Sequence, residues 1–417
     1  MLKKLKSIFA LAMVVTMTAA LLFSSCGSRT ATQTLTLGIW KGNDQETASL
    51  NQVLANIMLK NNISVGTKIY TNYETELKAD IAAGTAPDVF YVDSSIAPEI
   101  IKSGAVASLD DITGADKANA SDFYPNLLAA FTSDSKLYGF PKDYSALGVF
   151  YDATLLDKAG YKPTDIPKAL EDWPAFLTAL QAKLPSGVVA LSINQELART
   201  MSFIQTTGSN VYKTDGTCNL DDPNVVKAVQ FLGDLFKGGN VKTAAELGDG
   251  WVGDTLGHEK AAIVIEGNWM IGYLNTTYSK VKYGTLEMPT YNGKPNTMSF
   301  TVAYAVNAKS NNLAAAKNLA MYLTNPENQK TWCTGAGVLP SRQSVATTMK
   351  LADDKIEGNL VKGGAYSTPW QAGLTLSIIA REFNNWFPKV CTGEMTAQDA
   401  MKQAVQAAAP DIQNILQ

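Results

Sequence analysis

Residues 261–270, AAIVIEGNWM, hold the stretch whose reading decides the fold. Residues 261–265 are short, uncharged and rich in β-branched side chains, the composition of a strand buried on both faces of a parallel sheet, although a buried helix segment shows the same lack of alternation. Glu266, Gly267 and Asn268 then supply a turn. Trp269 follows just past the carboxyl end of the strand, where open α/β sheets place their ligands. Two readings of Trp269 stand at this point: a ring offered to a ligand, or a core tryptophan covering the sheet.

Outward from this stretch the chain alternates strand and helix patterns. TLTLGIW (34–40) reads as a first strand leading into the polar loop KGNDQE, and a helix is expected over 47–60. VGTKIYTNY (65–73) reads as a second strand, ETELKADIAAG (74–84) as a helix closed by Gly84, and PDVFYVD (87–93) as a third strand. IAPEIIKSG (96–104), ALEDWPAFLTALQAKL (169–184) and NVVKAVQFLGDLFKGG (224–239) carry helical spacing. MSFTVAYAVNA (298–308) returns to strand, AAAKNLAMYLT (314–324) to helix, and the tail is an alanine-rich helix capped by Thr396. Alternation on this scale predicts an α/β fold with mostly parallel sheet flanked by helices.

Lys3, Lys4 and Lys6 precede an uncharged apolar stretch from Ile8 to Phe23, the layout of a secretory signal over residues 1–25. The stretch is shorter than the ~20 apolar residues of a spanning helix. It runs into LLFSSCGS, which resembles a bacterial lipobox with Cys26 as the lipid-modified residue and Phe23 where leucine is usual. Lipid there would anchor a soluble body to a membrane through a tether over 26–33.

The remainder is too long for one compact core, so two lobes are expected. Thirty-five Lys and Arg against 38 Asp and Glu leave a formal charge of −3, and no basic stripe points to nucleic acid. Apart from Cys26, only Cys218, Cys333 and Cys391 remain, without metal-ligand spacing. His258 is the single histidine, so multi-histidine zinc sites are impossible and any Ser–His or Cys–His nucleophile would have to use it. Its setting, TLGHEKAA, reads as a loop. Neither phosphate-cradle motif, G-x-x-x-x-G-K-[ST] or G-x-G-x-x-G, occurs, so no cofactor is expected.

Four segments, LKADIAAGTAPDVFYVD (77–93), KLYGFPKDYSALGVFYDATLLDKAG (136–160), GHEKAAIVIEGNWM (257–270) and LAMYLTNPENQKTWCTGAGVLPSRQSV (319–345), resemble in order and spacing the family-one, carbohydrate-type extracellular solute-binding proteins that serve ABC importers. The resemblance implies a two-lobed periplasmic-binding-protein-like fold with a ligand cleft at the junction. By similarity the first lobe would comprise 34–143 and 290–335, and the second 146–287 and 338–417, with crossings near 143–146, 287–290 and 335–339. The glycines of GAGVLP suit a position that absorbs backbone rotation.

Sugars combine apolar C–H faces with a rim of hydroxyls, so a sugar site needs flat aromatic platforms and planar polar side chains. The resemblance makes Trp269 one platform and Trp370 of YSTPWQAG another; the alternative for Trp370 is a plug between helices. Asn43 and Asp44 after the first strand, Asp93 after the third, and Asp143, Tyr144 and Ser145 at a crossing are the polar candidates, or else turn formers. Trp251 of GDGWVGD suits a lid or a surface turn, and Glu266 a hydroxyl acceptor or a helix cap. The expected partners are a sugar or oligosaccharide and a membrane permease, the chain acting as a monomer without turnover. A secreted glycoside hydrolase, an iron receptor and a polyamine receptor are the rivals; Asp44, Asp93, Asp143 and Glu266 keep the last of these open.

Overall fold

The computed structural model describes residues 33–417. The signal, Cys26 and nearly all of the tether lie outside the described residues. One ten-stranded sheet organises the chain. Its strands are β1 (Gln33–Trp40), β2 (Ile63–Tyr70), β3 (Val89–Asp93), β4 (Gly139–Asp152), β5 (Val189–Ser192), β6 (Val241–Lys242), β7 (Ala261–Gly267), β8 (Tyr283–Leu286), β9 (Met298–Val306) and β10 (Thr368–Pro369). Their order is β2-β1-β3-β9-β4-β7-β5-β6, with β8 against β4 and β10 against β9. Pairs β1/β2, β1/β3, β5/β6 and β5/β7 are parallel. β4 and β9 run against their main neighbours.

β4 joins the two halves of this sheet. Residues 139–146 pair with β9, and residues 147–151 pair with β7. Lys142 has no partner of its own, because Pro141 faces Ala303 and Asp143 faces Val302. A bulge at this point admits a proline inside a central strand, since the proline's missing donor falls where the ladder is already interrupted.

The apolar residues sort by half. Leu35, Leu37, Phe90, Val92, Ala303, Leu319 and Trp332 belong to one core under β1, β3 and β9. The other half is covered on both faces: Leu147, Ile263, Ile265, Phe383 and Met401 on one, Phe150, Val264, Leu256 and Leu274 on the other. Double coverage explains why residues 261–265 read as an unbroken apolar run. Amphipathic helices Pro223–Lys237, Leu376–Cys391 and Ala397–Leu416 supply the first of these faces, Thr396 capping the last through the Asp399 amide at 3.1 Å.

The chain passes between halves later than the resemblance implied. Met288, Tyr291 and Met298 pack in the second core, and Val302 is the first β9 residue in the first. Thr290 is held by exchange of backbone bonds with Lys168 and Leu170, and Tyr291 stacks on Phe231 at 5.2 Å, so residues 290–298 stay with the second half. Leu339 pairs with Tyr144 at the seam. Just beyond it, Arg342 reaches back into the first half: its guanidinium donates to the carbonyls of Ala118 and Thr324 and to Asp122, over the Phe123 ring.

Cys218, Cys333 and Cys391 are free and buried. Among the described residues no helix is long and apolar enough to cross a membrane.

Candidate functional site

β7 extends through Gly267, so Asn268 alone makes the turn and Trp269 opens the helix Trp269–Thr277. Asn268 fixes this junction to the seam, its Oδ1 accepting from the Ala146 amide at 2.9 Å. A Cβ at position 267 would fall inside the Trp269 ring. The glycine therefore lets the indole lie back over the strand end.

Trp269 is half-buried and meets the edge of Phe300 at 5.4 Å and 80°. Phe300, on β9, also faces Trp370 at 6.3 Å. The three half-buried rings form one row at the seam. Trp370 is held there by its amide on Ser299 O at 2.8 Å and by Ser94 Oγ donating to its carbonyl at 3.3 Å. At the Trp269 end of the row lies a cavity of about 380 Å³, which Phe300 and Trp370 do not line. Trp269, Tyr273 and Thr276 line it from one half; Asn43, Gln45 and Gly335 line it from the other.

Glu266 stands beneath Trp269, only 2% exposed. Arg199, from the helix Leu197–Thr206, holds it with Nη2 at 2.8 Å and Nε at 3.4 Å. The same guanidinium lies 5.6 Å from the Trp269 ring centre and 5.8 Å from that of Phe300. Burial pushes the Glu266 carboxyl above its usual range, against the pull of Arg199. Glu266 is thus a paired, buried carboxylate; it caps no helix and is not a free acceptor.

Other candidates separate. Asp143 is buried and accepts from Lys142 and from Trp332 Nε1 at 2.6 Å, while Lys142 sits over the Trp332 ring at 4.1 Å. Tyr144 is a core residue, edge-on to Tyr124 at 5.7 Å and packed where Gly364 leaves room. Ser145 is buried in β4 opposite Phe300. These three are strand residues, not a loop, and lie just before the point where β4 passes from one half to the other. Asn43 caps the helix Asp44–Asn61 by accepting from the Glu46 amide at 2.8 Å, and still borders the cavity. Asp44 is exposed in the first turn. Asp93 accepts from the Ser95 amide at 2.8 Å, and burial raises its pKa. Trp251 lies edge-on to Tyr273 at 4.8 Å, one ring removed from the cavity. His258 is tied to Asp249 at 2.9 Å and to the Tyr278 hydroxyl at 3.0 Å.

Sequence reasoning missed Phe300 and Arg199. An apolar residue in a strand gives no sign of which face it takes. Arg199 did carry a signal: a cation in the first turn of a helix opposes the macrodipole and so calls for a partner elsewhere.

The description "Bacterial extracellular solute-binding protein" matches residues 57–357. The chain belongs to this family. Its family is extracytoplasmic, and its fold is that of the two-lobed binding proteins. The solute-binding chain is similar to the galactooligosaccharide-binding protein of Bacillus subtilis (strain 168), 23% identical over 358 residues, 83% of this chain and 82% of the relative. Among solved structures, the sugar-binding protein MalE from Xanthomonas citri superposes with TM-score 0.82 at 19% identity, over 92% of this chain and 98% of that one. The cyclic alpha-maltosyl-1,6-maltose binding protein from Arthrobacter globiformis gives 0.79 at 20% identity, over 92% and 100%.

Proposed function

We propose that this chain captures a neutral sugar, an oligosaccharide, against the row Trp269–Phe300–Trp370 and delivers it to the permease of an ABC importer. The observation that carries the reading is the company the row keeps. Three aromatic faces stand at the junction of two halves, and two of the four candidate carboxylates are already matched, Glu266 by Arg199 and Asp143 by Lys142, while Asp44, Asp93 and the cavity-lining Glu357 make no ion pair among the described residues. A polyamine site needs unmatched carboxylates around its rings, whereas stacking on sugar C–H faces needs none. The galactooligosaccharide-, lactose- and maltodextrin-binding relatives support the same solute class.

In this reading Trp269 and Trp370 are the platforms, and Asn43 contributes polar contacts from across the cavity. Asp44 and Asp93 do not line the cavity. The two halves rotate about β4, β9 and the 335–339 segment, and contacts made only in the closed form shift the population. Binding proceeds without turnover. Residues 1–25 are removed as a signal, lipid on Cys26 anchors the monomer, and transport energy comes from a separate ATPase.

A thermal-shift panel of oligosaccharides, monosaccharides, sugar alcohols and spermidine tests this. A ligand at a hundred times its dissociation constant adds about 2.7 kcal/mol to folded stability, a visible rise in melting temperature. Shifts with oligosaccharides and none with spermidine are expected; a spermidine shift alone overturns the solute class.

A further inference from the structure

Arg199 is a costly residue to keep where it stands. Its side chain is only 13% exposed, it opens a helix against the dipole, and its partner Glu266 is almost wholly buried. A purely structural seam would be satisfied by apolar side chains of similar volume, since buried ion pairs rarely add stability over such a replacement. The pair instead lies directly against the two rings that meet at the seam.

We propose that Arg199 is a positioning residue for solute capture: clamped by Glu266, its guanidinium fixes the angle of Trp269 against Phe300 and cancels the carboxylate beneath the platform. This rests on the reading of Trp269 as a sugar platform. The geometry supplies both parts. Two hydrogen bonds to Glu266 fix the plane of the guanidinium, with Nη1 drawn toward Glu196 at 3.4 Å. Distances of 5.6 and 5.8 Å place both rings within cation–π reach, so the indole is held at a near-right angle to Phe300 with the guanidinium over it. Lysine keeps the charge but loses the planar fork. The charged groups that face Glu266 are Arg199 and Glu196; the remaining contact is the Gly267 amide at 3.1 Å. With Arg199 gone, nothing cationic opposes the burial that already raises the Glu266 pKa.

The test is calorimetric titration of the best oligosaccharide from the panel, between pH 5 and 8, on Arg199→Gln, Arg199→Lys, Glu266→Gln and the double variant Arg199→Gln/Glu266→Gln. Arg199→Gln is expected to weaken binding at least tenfold at pH 8, with partial recovery toward pH 5 as the stranded Glu266 takes up a proton. The double variant is expected to lose that pH dependence, and Arg199→Lys to regain part of the affinity. A wild-type protein that binds and an Arg199→Gln variant of equal affinity would overturn the proposal while leaving the sugar reading intact. So would a loss with a flat pH profile and no rescue by lysine. A wild-type protein silent to every sugar would instead remove the reading beneath it. Should Arg199→Gln fail to fold, Arg199→Lys and Glu266→Gln decide: unchanged affinity in both overturns the proposal.

Discussion

The Trp269 indole lies against the bare Cα of Gly267, two residues earlier in the chain. That contact turns the end of a buried strand into a presented ring, because any side chain at 267 would occupy the volume the indole needs. Asn268 between them adds the second constraint by bonding to Ala146, the point where β4 leaves one half of the sheet for the other. The motif GNW is therefore a device for aiming a ring at the seam.

Gly267→Ala is expected to displace the Trp269 ring and weaken sugar binding by about tenfold, roughly 1.4 kcal/mol. Backbone strain is not the cause, since Gly267 is absent from the residues with positive φ. Titration of the folded variant, with tryptophan emission as a monitor of the ring, checks this; full affinity with an unchanged spectrum contradicts it.

Much of this was legible in the sequence, and the losses have physical reasons. Gly84 ends its helix in the left-handed region at φ 72°, as its place after an alanine-rich helix predicts. The helix Pro223–Lys237 and the strand β7 were readable from spacing and from an unbroken apolar run. PKDYSA was not, because proline, lysine and aspartate argue locally against a central strand. Pairing on both sides of β4 overrides that preference, and the bulge at Lys142 accommodates it. Trp269 and Trp370 were singled out from their motifs, but what brings the two rings together is Phe300, one apolar residue among many in a strand. Arg199 and Glu266 are 67 residues apart, and although a first-turn cation calls for a partner, no local pattern says which residue it is.

Arg342 ties the segment after the seam to the first half. Arg342→Met is expected to cost about 3 to 5 kcal/mol, because it leaves Asp122 and the carbonyls of Ala118 and Thr324 short of their donor in a buried site. Urea unfolding at neutral pH measures it. A loss below about 1 kcal/mol would mean that water replaces the guanidinium.

Asp80 predicts part of the acid response. The hydrogen bond from Lys68, and then that from the Tyr70 hydroxyl at 2.5 Å, hold its carboxyl below the usual aspartate value. A folded value below the unfolded one, about 3.9, gives stability that is present above pH 4 and lost as pH falls through the folded value. Lys68 and Asp80 are both part-exposed, so the effect is on the order of 1 kcal/mol or less. Asp80→Asn should lower stability at pH 7 and flatten the decline below pH 4, read from urea unfolding; curves that stay parallel to wild type contradict the assignment.

The central claim is that Trp269 is the floor on which a neutral sugar is captured. Calorimetric titration of Trp269→Ala beside the wild type, with the oligosaccharide that gives the largest thermal shift, tests it most directly. The account predicts a folded variant with at least a hundredfold weaker binding and, in the wild type, an affinity insensitive to salt, since no net ligand charge is screened. Undiminished affinity in a folded Trp269→Ala protein would contradict it.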